Sequence, residues 1–590
     1  MSEWTHPALI LIIGALAVPF LKGTAKRLYL LFLPVFAFYN LLHMPADAVW
    51  AFSYLGHELI LCRVDKLSLL FGYIFTAMTF IGVVYALHLE DDRQHMAALF
   101  YAGSSIGVVF AGDFLTLFMF WEVMAFASAY LVFAQRSRAA ALAGSRYLLV
   151  HIAGGLVLFA GIIIHFSSSG SLTLGPVDRN GAAYYLIMTG FMLNAAVVPL
   201  NAWLPDAYPE ATVTGSVFMS VFTTKTAVYV LIRVFAGEEW LLWLGVFMAV
   251  FGVVYATMEN DCRRLLSYHI ISQVGYMVAG VGIGTELALN GAAAHAFTNM
   301  LYKSLLFMGA GAVIHATGAG KLTELGGLAR KMPATFVLYM IGGFSISAFP
   351  LFAGFVSKSM IVSAAAHEKY ELVTLFLMLA SSGTLLSTTL KIPYYMFFGK
   401  EKSTGIKEVP LNMLVGMGMA ALLCIGIGVY PGPLYSILPF NAGYEPYTPE
   451  HIMGSLGILV FTAVAFFLVA RKIKLTDTVN LDTDWFYRKG AAAFMWVLNR
   501  PFSKGLEVSY RIFFDAIPRR LAYFARNPLL MTEIIAGRVL CAFSGRGSRL
   551  EETVKGEMAA YPADTIKHWP IGSTILWVTM FLLISVFLYL

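Results

Sequence analysis

Charge is what this sequence lacks most. Asp, Glu, Lys and Arg together supply 13% of its 590 residues, about half the quarter that is usual in soluble globular chains. With 59% hydrophobic residues and a mean hydropathy of +0.74, a soluble enzyme is excluded. The 46 Phe, 29 Tyr and 10 Trp exclude a disordered chain as well. Cysteine is scarce: Cys62, Cys262, Cys424 and Cys541 stand far apart, with no CxxC or CxxCH spacing. The sequence therefore offers no iron–sulfur, zinc or c-type haem ligands, no other cofactor site and no disulfide framework. There is no GxxxxGK[ST] phosphate loop, so ATP does not drive it directly. The start, MSEWTH, has no Lys or Arg and no A-x-A site, which reads as a retained first span.

What is abundant is the long apolar run. Sixteen occur, near 7–22, 27–44, 66–88, 96–112, 114–134, 142–166, 183–203, 211–235, 239–257 and 265–284, then 288–316, 332–364, 371–398, 409–431, 452–470 and 571–590. Continuous runs of this length fit membrane-spanning helices, and not the dyad alternation of an outer-membrane barrel. Alternate connections are basic: Lys22, Lys26 and Arg27; Arg136, Arg138 and Arg146; Arg263 and Arg264; Lys321, Arg330 and Lys331; Lys400, Lys402 and Lys407. The opposite set is poor in Lys and Arg, with Arg179 alone in 167–182 and none in 431–450. Sixteen alternating helices put every basic loop on the cytoplasmic side of a cell (inner) membrane and both termini outside.

Residues 472–570 are the one shift in composition, with 15 Lys or Arg against 10 Asp or Glu. Aromatics mix with arginine there: Trp485, Phe486, Tyr487 and Arg488; Arg511, Phe513 and Phe514; Arg519, Arg520, Tyr523 and Phe524. That pattern predicts amphipathic helices in a membrane interface, interrupted at Pro501, Pro518 and Pro528. A soluble basic domain for nucleic acid would be less apolar and less interrupted.

An ionisable group in hydrocarbon costs on the order of 3 kcal/mol by insertion scales, so the intramembrane ones are informative. Glu122 and Lys225 are centred between long apolar flanks. His295, Asn299 and Lys303 recur every fourth residue and so share a helix face. With an imidazole that titrates near neutrality, that face predicts a proton-passing row. Lys358 follows Phe-Pro-Leu-Phe-Ala-Gly, and Lys391 sits eight residues before a Gly-Lys loop, where snorkelling competes with function. Acid, lysine and histidine spread over separate helices suit a proton relay better than one substrate pocket.

Two runs read as broken helices. The run 332–364 is too long for one span and contains Pro350 and Gly354; the run from 183 contains Pro199 and then WLPDAYPEA. Unwound backbone at membrane depth is tolerated where it lines a cavity. The two places echo each other: Pro199-Leu-Asn-Ala202 with Pro350-Leu-Phe-Ala353, and Thr223-Thr-Lys225 with Thr388-Thr-Leu-Lys391. Echoes in corresponding broken helices point to a duplicated transporter unit.

These segments resemble the antiporter-like subunits shared by respiratory complex I, multisubunit (Mrp-type) cation/proton antiporters and membrane-bound hydrogenases. The motifs that carry the likeness are FWEVMAFASAYLV, PLNAWLPDAYPEA, TTKTAVYVLIR, DCRRLLSYHIISQVGYM, HAFTNMLYKSLLF, GGLARKMP and FPLFAGFVSK, from about 113 to 360. The resemblance implies an all-α polytopic membrane protein. It would have about fourteen core helices, two inverted five-helix repeats each with a broken helix, a lateral arm and an anchoring helix. Mapped onto this chain, that gives N-terminal helices over 1–95, repeats over 96–236 and 237–400, and further helices over 401–471. The arm would occupy 472–570, on the cytoplasmic side, and the anchor 571–590.

By position, the resemblance makes Glu122 the acid of the fifth helix and Lys225 the lysine of the eighth. His295 and Lys303 become the polar row of the eleventh, and Lys358 the terminal lysine of the second broken helix, near the outer exit. Lys391 extends the pathway. The sequence departs from the family in two places. Asn194 stands where a lysine is usual in the first broken helix, and Asn299 where some members have a histidine; asparagine accepts and donates hydrogen bonds but carries no proton at neutral pH. Glu122 thereby loses its expected partner, leaving three alternatives: Lys225 substitutes, the Glu122 site works differently, or the first half-channel is degenerate. The leading expectation is an ion-translocating subunit moving H⁺, with Na⁺ exchange as a variant, among other membrane subunits of an antiporter, hydrogenase or complex I-like assembly in the lipid bilayer. Any redox chemistry would belong to its partners. The alternatives are the membrane subunit of an inorganic-carbon uptake complex and a transport-degenerate scaffold.

Overall fold

A computed structural model describes residues 5–470 apart from 55, 399, 403, 404 and 442, then 485, 489–490, 492–493, 496, 503–544, 549–561 and 571–589. Phe486, Tyr487, Arg488 and Pro501 lie outside the described residues. The chain divides into two compact units, Met1–Asp484 and Trp485–Leu590.

The apolar runs become helices. Three come first: α1 (Pro7–Ala17), α2 (Gly23–Leu42) and α3 (Lys66–Ala86). Then come α4 (Asp92–Phe110), α5 (Phe114–Phe133), α6 (Arg138–Ser169), α7 (Ala182–Asn194), α8 (Trp203–Ala207), α9 (Val213–Met219) and α10 (Thr223–Val234). A second series follows: α11 (Glu239–Met258), α12 (Cys262–Ile283), α13 (Glu286–Thr317), α14 (Pro333–Ile346), α15 (Ala353–His367), α16 (Glu371–Thr384) and α17 (Ile392–Met396). The first unit ends with α18 (Leu411–Val429), α19 (Gly432–Ser436) and α20 (Pro449–Ala470). Among the described residues ten helices are long and apolar enough to cross a membrane. The other expected spans fall on helices that are shorter, interrupted or more polar, such as α1, α7, α12 and α14.

Short polar residues between runs start the next helix. The side chains of Asp65, Asp113, Ser137, Thr212, Asp261 and Thr285 each accept a hydrogen bond from a first-turn amide, which satisfies donors that the helix itself leaves free.

The two series share their joints. Both α6 and α13 are 32 residues long, about 48 Å at 1.5 Å per residue. Both stop on a left-handed glycine, Gly170 (φ 70°) and Gly318 (φ 74°). The chain after each returns to the start of the preceding helix: Phe114 N–H donates to Leu172 O (2.8 Å) and Cys262 N–H to Gly320 O (3.0 Å). Gly170 and Gly318, like Asp113 and Asp261, stand 148 positions apart.

The breaks match too. After α7, Ala196 takes φ 53°, its N–H bonds Leu193 O and that of Val197 bonds Met192 O, both 3.0 Å. After α14, Ala348 takes φ 56°, bonding Ser345 O at 3.1 Å, and Phe349 bonds Phe344 O at 3.0 Å. Each is a Schellman cap with alanine in place of the usual glycine, at a cost of roughly 1 to 2 kcal/mol. Pro199 and Pro350 then prevent the helix from resuming at once. Gly354 matters for a different reason: a Cβ there would lie 1.8 Å from Ser345 O, so only glycine lets the end of α14 rest on the start of α15.

A second kind of interruption was not foreseen. The run 211–235 is divided at Ser220–Phe222, and the run 371–398 contains a π-helical segment, Leu385–Lys391, before Ile392-Pro393. There Ile392 N–H reaches back five residues to Ser387 O. The wider turn makes room for a proline ring and its missing donor. The second unit repeats this device. Its helix α21 (Ser503–Tyr510) passes through a π segment, Arg511–Ala516, into α22 (Ile517–Arg526), and Ile517 N–H bonds Ile512 O. The break expected at Pro518 is thus absent, because the π turn absorbs it. The break at Pro528 is real: Asn527 leaves helical backbone (φ −150°, ψ 78°) before α23 (Pro528–Ser544). The unit closes with α24 (Arg549–Ala559) and α25 (Ile571–Tyr589).

The apolar-run reading also passed over a β-hairpin, β1 (Val49–Tyr54) with β2 (His57–Arg63), between α2 and α3. It is pinned to the first series where Asp113 Oδ2 accepts the Ile60 amide at 2.7 Å.

Candidate functional site

Helices α12 and α13 are buried along almost their whole length, and the buried lysines gather around them. Helix breaks and helix ends explain three of these. A helix that stops leaves carbonyls without partners, and an ammonium can take them. Lys225 Nζ donates to Ser220 O (2.7 Å) in the gap between α9 and α10. Lys358 Nζ donates to Ile346 O (2.9 Å) at the end of α14 and lies 4.9 Å from the Tyr276 ring centre. Lys391 Nζ donates to Thr257 O (2.7 Å) and Glu259 O (2.6 Å) at the end of α11. Snorkelling does not describe Lys391, which is 6% exposed and caps a neighbouring helix.

Lys303 differs. It is fully buried, and among the described residues its Nζ has no hydrogen-bond partner. The charges that reach it are the like charges of Lys225 and Lys358. An amino group held this way returns nothing to the fold.

The face shared by His295, Asn299 and Lys303 is real, but its hydrogen bonds link His295 and Asn299 through Tyr302 of the same helix, run from His295 across to α12 and α15, and do not reach Lys303. His295 Nδ1 meets Ser357 Oγ (3.0 Å), and its Nε2 lies 3.3 Å from both Gln273 Oε1 and Tyr302 Oη. Asn299 Nδ2 donates to Tyr302 Oη (2.9 Å), and Thr298 meets Ser357 (2.7 Å). One turn away, His269 Nε2 meets Ser387 Oγ (2.6 Å) in the π segment. The network therefore joins α12, α13 and α15, and leaves Lys303 out. Sequence reading missed Gln273, His269, Tyr302, Ser357 and Ser387. A signal existed: His269, Gln273 and Tyr276 recur at helical spacing within an otherwise apolar run.

The first series is built otherwise. Tyr147, His151 and Gly155 stand 148 positions before His295, Asn299 and Lys303. Tyr147 Oη bonds Ser128 (2.8 Å); His151 Nδ1 meets Tyr147 O (2.9 Å) and its ring abuts Trp203 edge-on at 4.5 Å. Glu122 is half-buried, not centrally buried as its flanks implied, and its Oε1 has no partner. That oxygen occupies the space beside Gly155, 2.0 Å from where a Cβ would sit. Asn194 is 1% exposed with Nδ2 unpartnered. No hydrogen bond joins Lys225 to Glu122 among the described residues, so the substitution of Lys225 for the lost lysine finds no contact to support it.

Ion pairs here serve the scaffold. Asp206, within WLPDAYPEA, receives Arg146 bidentately (2.6 and 2.8 Å), the geometry with the greatest directional strength. At the head of α3, burial raises the Asp65 carboxyl, but the Arg233 hydrogen bond and charge outweigh it and hold it below its ordinary value.

Residues 111–387 match the family described as "NADH:quinone oxidoreductase/Mrp antiporter, TM". The chain is 28% identical over 494 residues to "Na(+)/H(+) antiporter subunit A1" of Staphylococcus haemolyticus, covering 73% of this chain and 61% of that one. It thus spans about three fifths of this curated relative. Among solved structures it resembles a chain of the Mrp complex from Dietzia sp. (TM-score 0.63, 22% identity, 77% of this chain and 95% of that one). It also resembles a chain of the archaeal membrane-bound sulfane sulfur reductase (TM-score 0.67, 23% identity, 95% and 99%). At these identities the likeness is one of fold.

Proposed function

We propose that this chain, which belongs to the antiporter-like membrane subunits of complex I and Mrp-type assemblies, is an ion-translocating subunit of a multisubunit membrane complex. It moves H⁺ through its buried lysines and histidines, with Na⁺ exchange as the variant its Na⁺/H⁺-antiporter relative favours. Its partners are other membrane subunits. Both termini lie outside and the 472–570 arm lies on the cytoplasmic side, anchored by 571–590; the basic loops support that orientation.

One observation carries the reading. Lys225, Lys303, Lys358 and Lys391 are all buried, and none has a carboxylate hydrogen-bonded to it among the described residues. Apolar side chains of similar volume would stabilise the fold more, so these lysines fit a role in moving charge. Glu122 contributes at the edge of this path, and the 295–299–303 face lies within it.

Lys358→Ala is expected to abolish proton flux in vesicles carrying the native complex, while the chain still co-purifies with its neighbours. Flux equal to wild type overturns the reading.

A further inference from the structure

The charge path must reach water somewhere, and the second series offers a defined place. A cavity of about 290 Å³ lies among α15, α16 and α20. One face of α15 supplies Lys358, Ser359 and Ser363; α16 supplies Ser381, and α20 supplies Glu450 and His451. Lys358 and Ser363 are about 7.5 Å apart along the helix axis. The residue before Lys358, Ser357, is bonded to His295. Lys358 thus stands where the internal network ends and the cavity begins.

At the far end, His451 closes the polar wall. Its Nε2 lies 3.3 Å from Ser363 Oγ, Ser363 also meets Tyr444 Oη (3.2 Å), and its Nδ1 is buried without a partner. The charged and titratable groups facing it are Glu450 beside it, Tyr444 from the preceding loop and Lys358 from α15; α16 presents Met378 and Ser381, neither charged.

We propose that this cavity is the water-filled vestibule of the second half-channel and that His451 is its outer proton-carrying residue. The inference rests on the proton-moving reading above. The Lys358 ammonium gives one proton to vestibule water. That water passes a proton to the Ser363 hydroxyl, which hands its own to His451 Nε2. Lys358 is left neutral and His451 cationic; a turn of the imidazole out of its buried position then lets Nδ1–H give one proton to water outside, which becomes hydronium, and the ring is left neutral. Imidazole can do this because one ring nitrogen accepts a proton while the other gives one up.

Three variants of the full chain in its native complex test this. His451→Gln keeps a polar atom near Ser363 but carries no proton. It should lower proton flux in right-side-out vesicles about tenfold or more and flatten the dependence of flux on external pH. Imidazole added outside should restore flux to His451→Ala. Gly454→Leu should plug the vestibule with His451 intact; a Cβ at 454 meets nothing within 4 Å, so the helix accepts it. If both His451→Gln and Gly454→Leu leave flux and its pH profile unchanged in membranes whose wild-type complex moves protons, the vestibule proposal fails alone. If wild-type membranes move none, the functional reading falls with it.

Discussion

The two series of helices share joints and differ in what they hold. Their long helices have equal length, the same closing glycine and the same return of chain to the preceding helix start. Yet the positions that carry His295, Asn299 and Lys303 in the second carry Tyr147, His151 and Gly155 in the first. The lesson is that the frame depends on caps, breaks and glycines, whereas the side chains at matched positions differ: the second series holds a histidine and a lysine where the first holds a tyrosine and a glycine. Glu122 survives in the first series, with the space beside Gly155 where the second series has Lys303.

The largest expected effect separates charge from fold. Lys303→Met should reduce proton flux at least tenfold and yet raise thermal stability, by about 1 kcal/mol or more, since it removes a buried amino group that has no hydrogen-bond partner among the described residues. Loss of stability on this change, measured by thermal unfolding of the purified complex, would make Lys303 a structural group and erase the contrast between the series.

A smaller effect sharpens the comparison directly. His295→Gln in the second series should reduce flux at least tenfold, because it replaces the imidazole that joins Ser357 to Gln273 and Tyr302. Glu122→Gln in the first should cost only about threefold, a factor worth under 1 kcal/mol. Equal losses in flux would mean that both series conduct alike.

The smallest effect concerns how the first series is held from outside. His6 accepts the Ala8 amide at Nδ1 (3.2 Å), donates from Nε2 to Leu61 O (3.1 Å) in the hairpin and stacks on Phe120. Burial pushes its imidazole down to about 4, despite the opposing hydrogen bond to Leu61. Its contribution is therefore complete above its ordinary value of 6.5 and is lost as pH falls from there through 4. Amide exchange at residues 57–63 should speed up over that window in wild type but not in His6→Gln, with the second series unaffected.

Much of this was legible in order of residues alone, and the reason is the solvent. In hydrocarbon every backbone donor needs an internal partner, so a long apolar run becomes a helix, and a proline such as Pro199 or Pro350 marks where one stops. Pro518 misled because proline dictates only that one bond be missing, and a π turn can supply the room. The hairpin at 49–63 was missed because it is short and lies between spans, outside the pattern that identifies them.

Sequence by itself determined the membrane class, where most of the helices lie, the two Pro-marked breaks and which positions are ionisable, because each follows from local composition and spacing. Tertiary structure decided what those ionisable groups meet. Lys225 finds a carbonyl freed by the break just before it, Lys358 and Lys391 find carbonyls at the ends of other helices, His295 finds Gln273 and Ser357 from two other helices, and Lys303 finds no hydrogen-bond partner among the described residues. Such partners lie up to 134 positions apart in the chain, and only packing brings them within hydrogen-bonding distance.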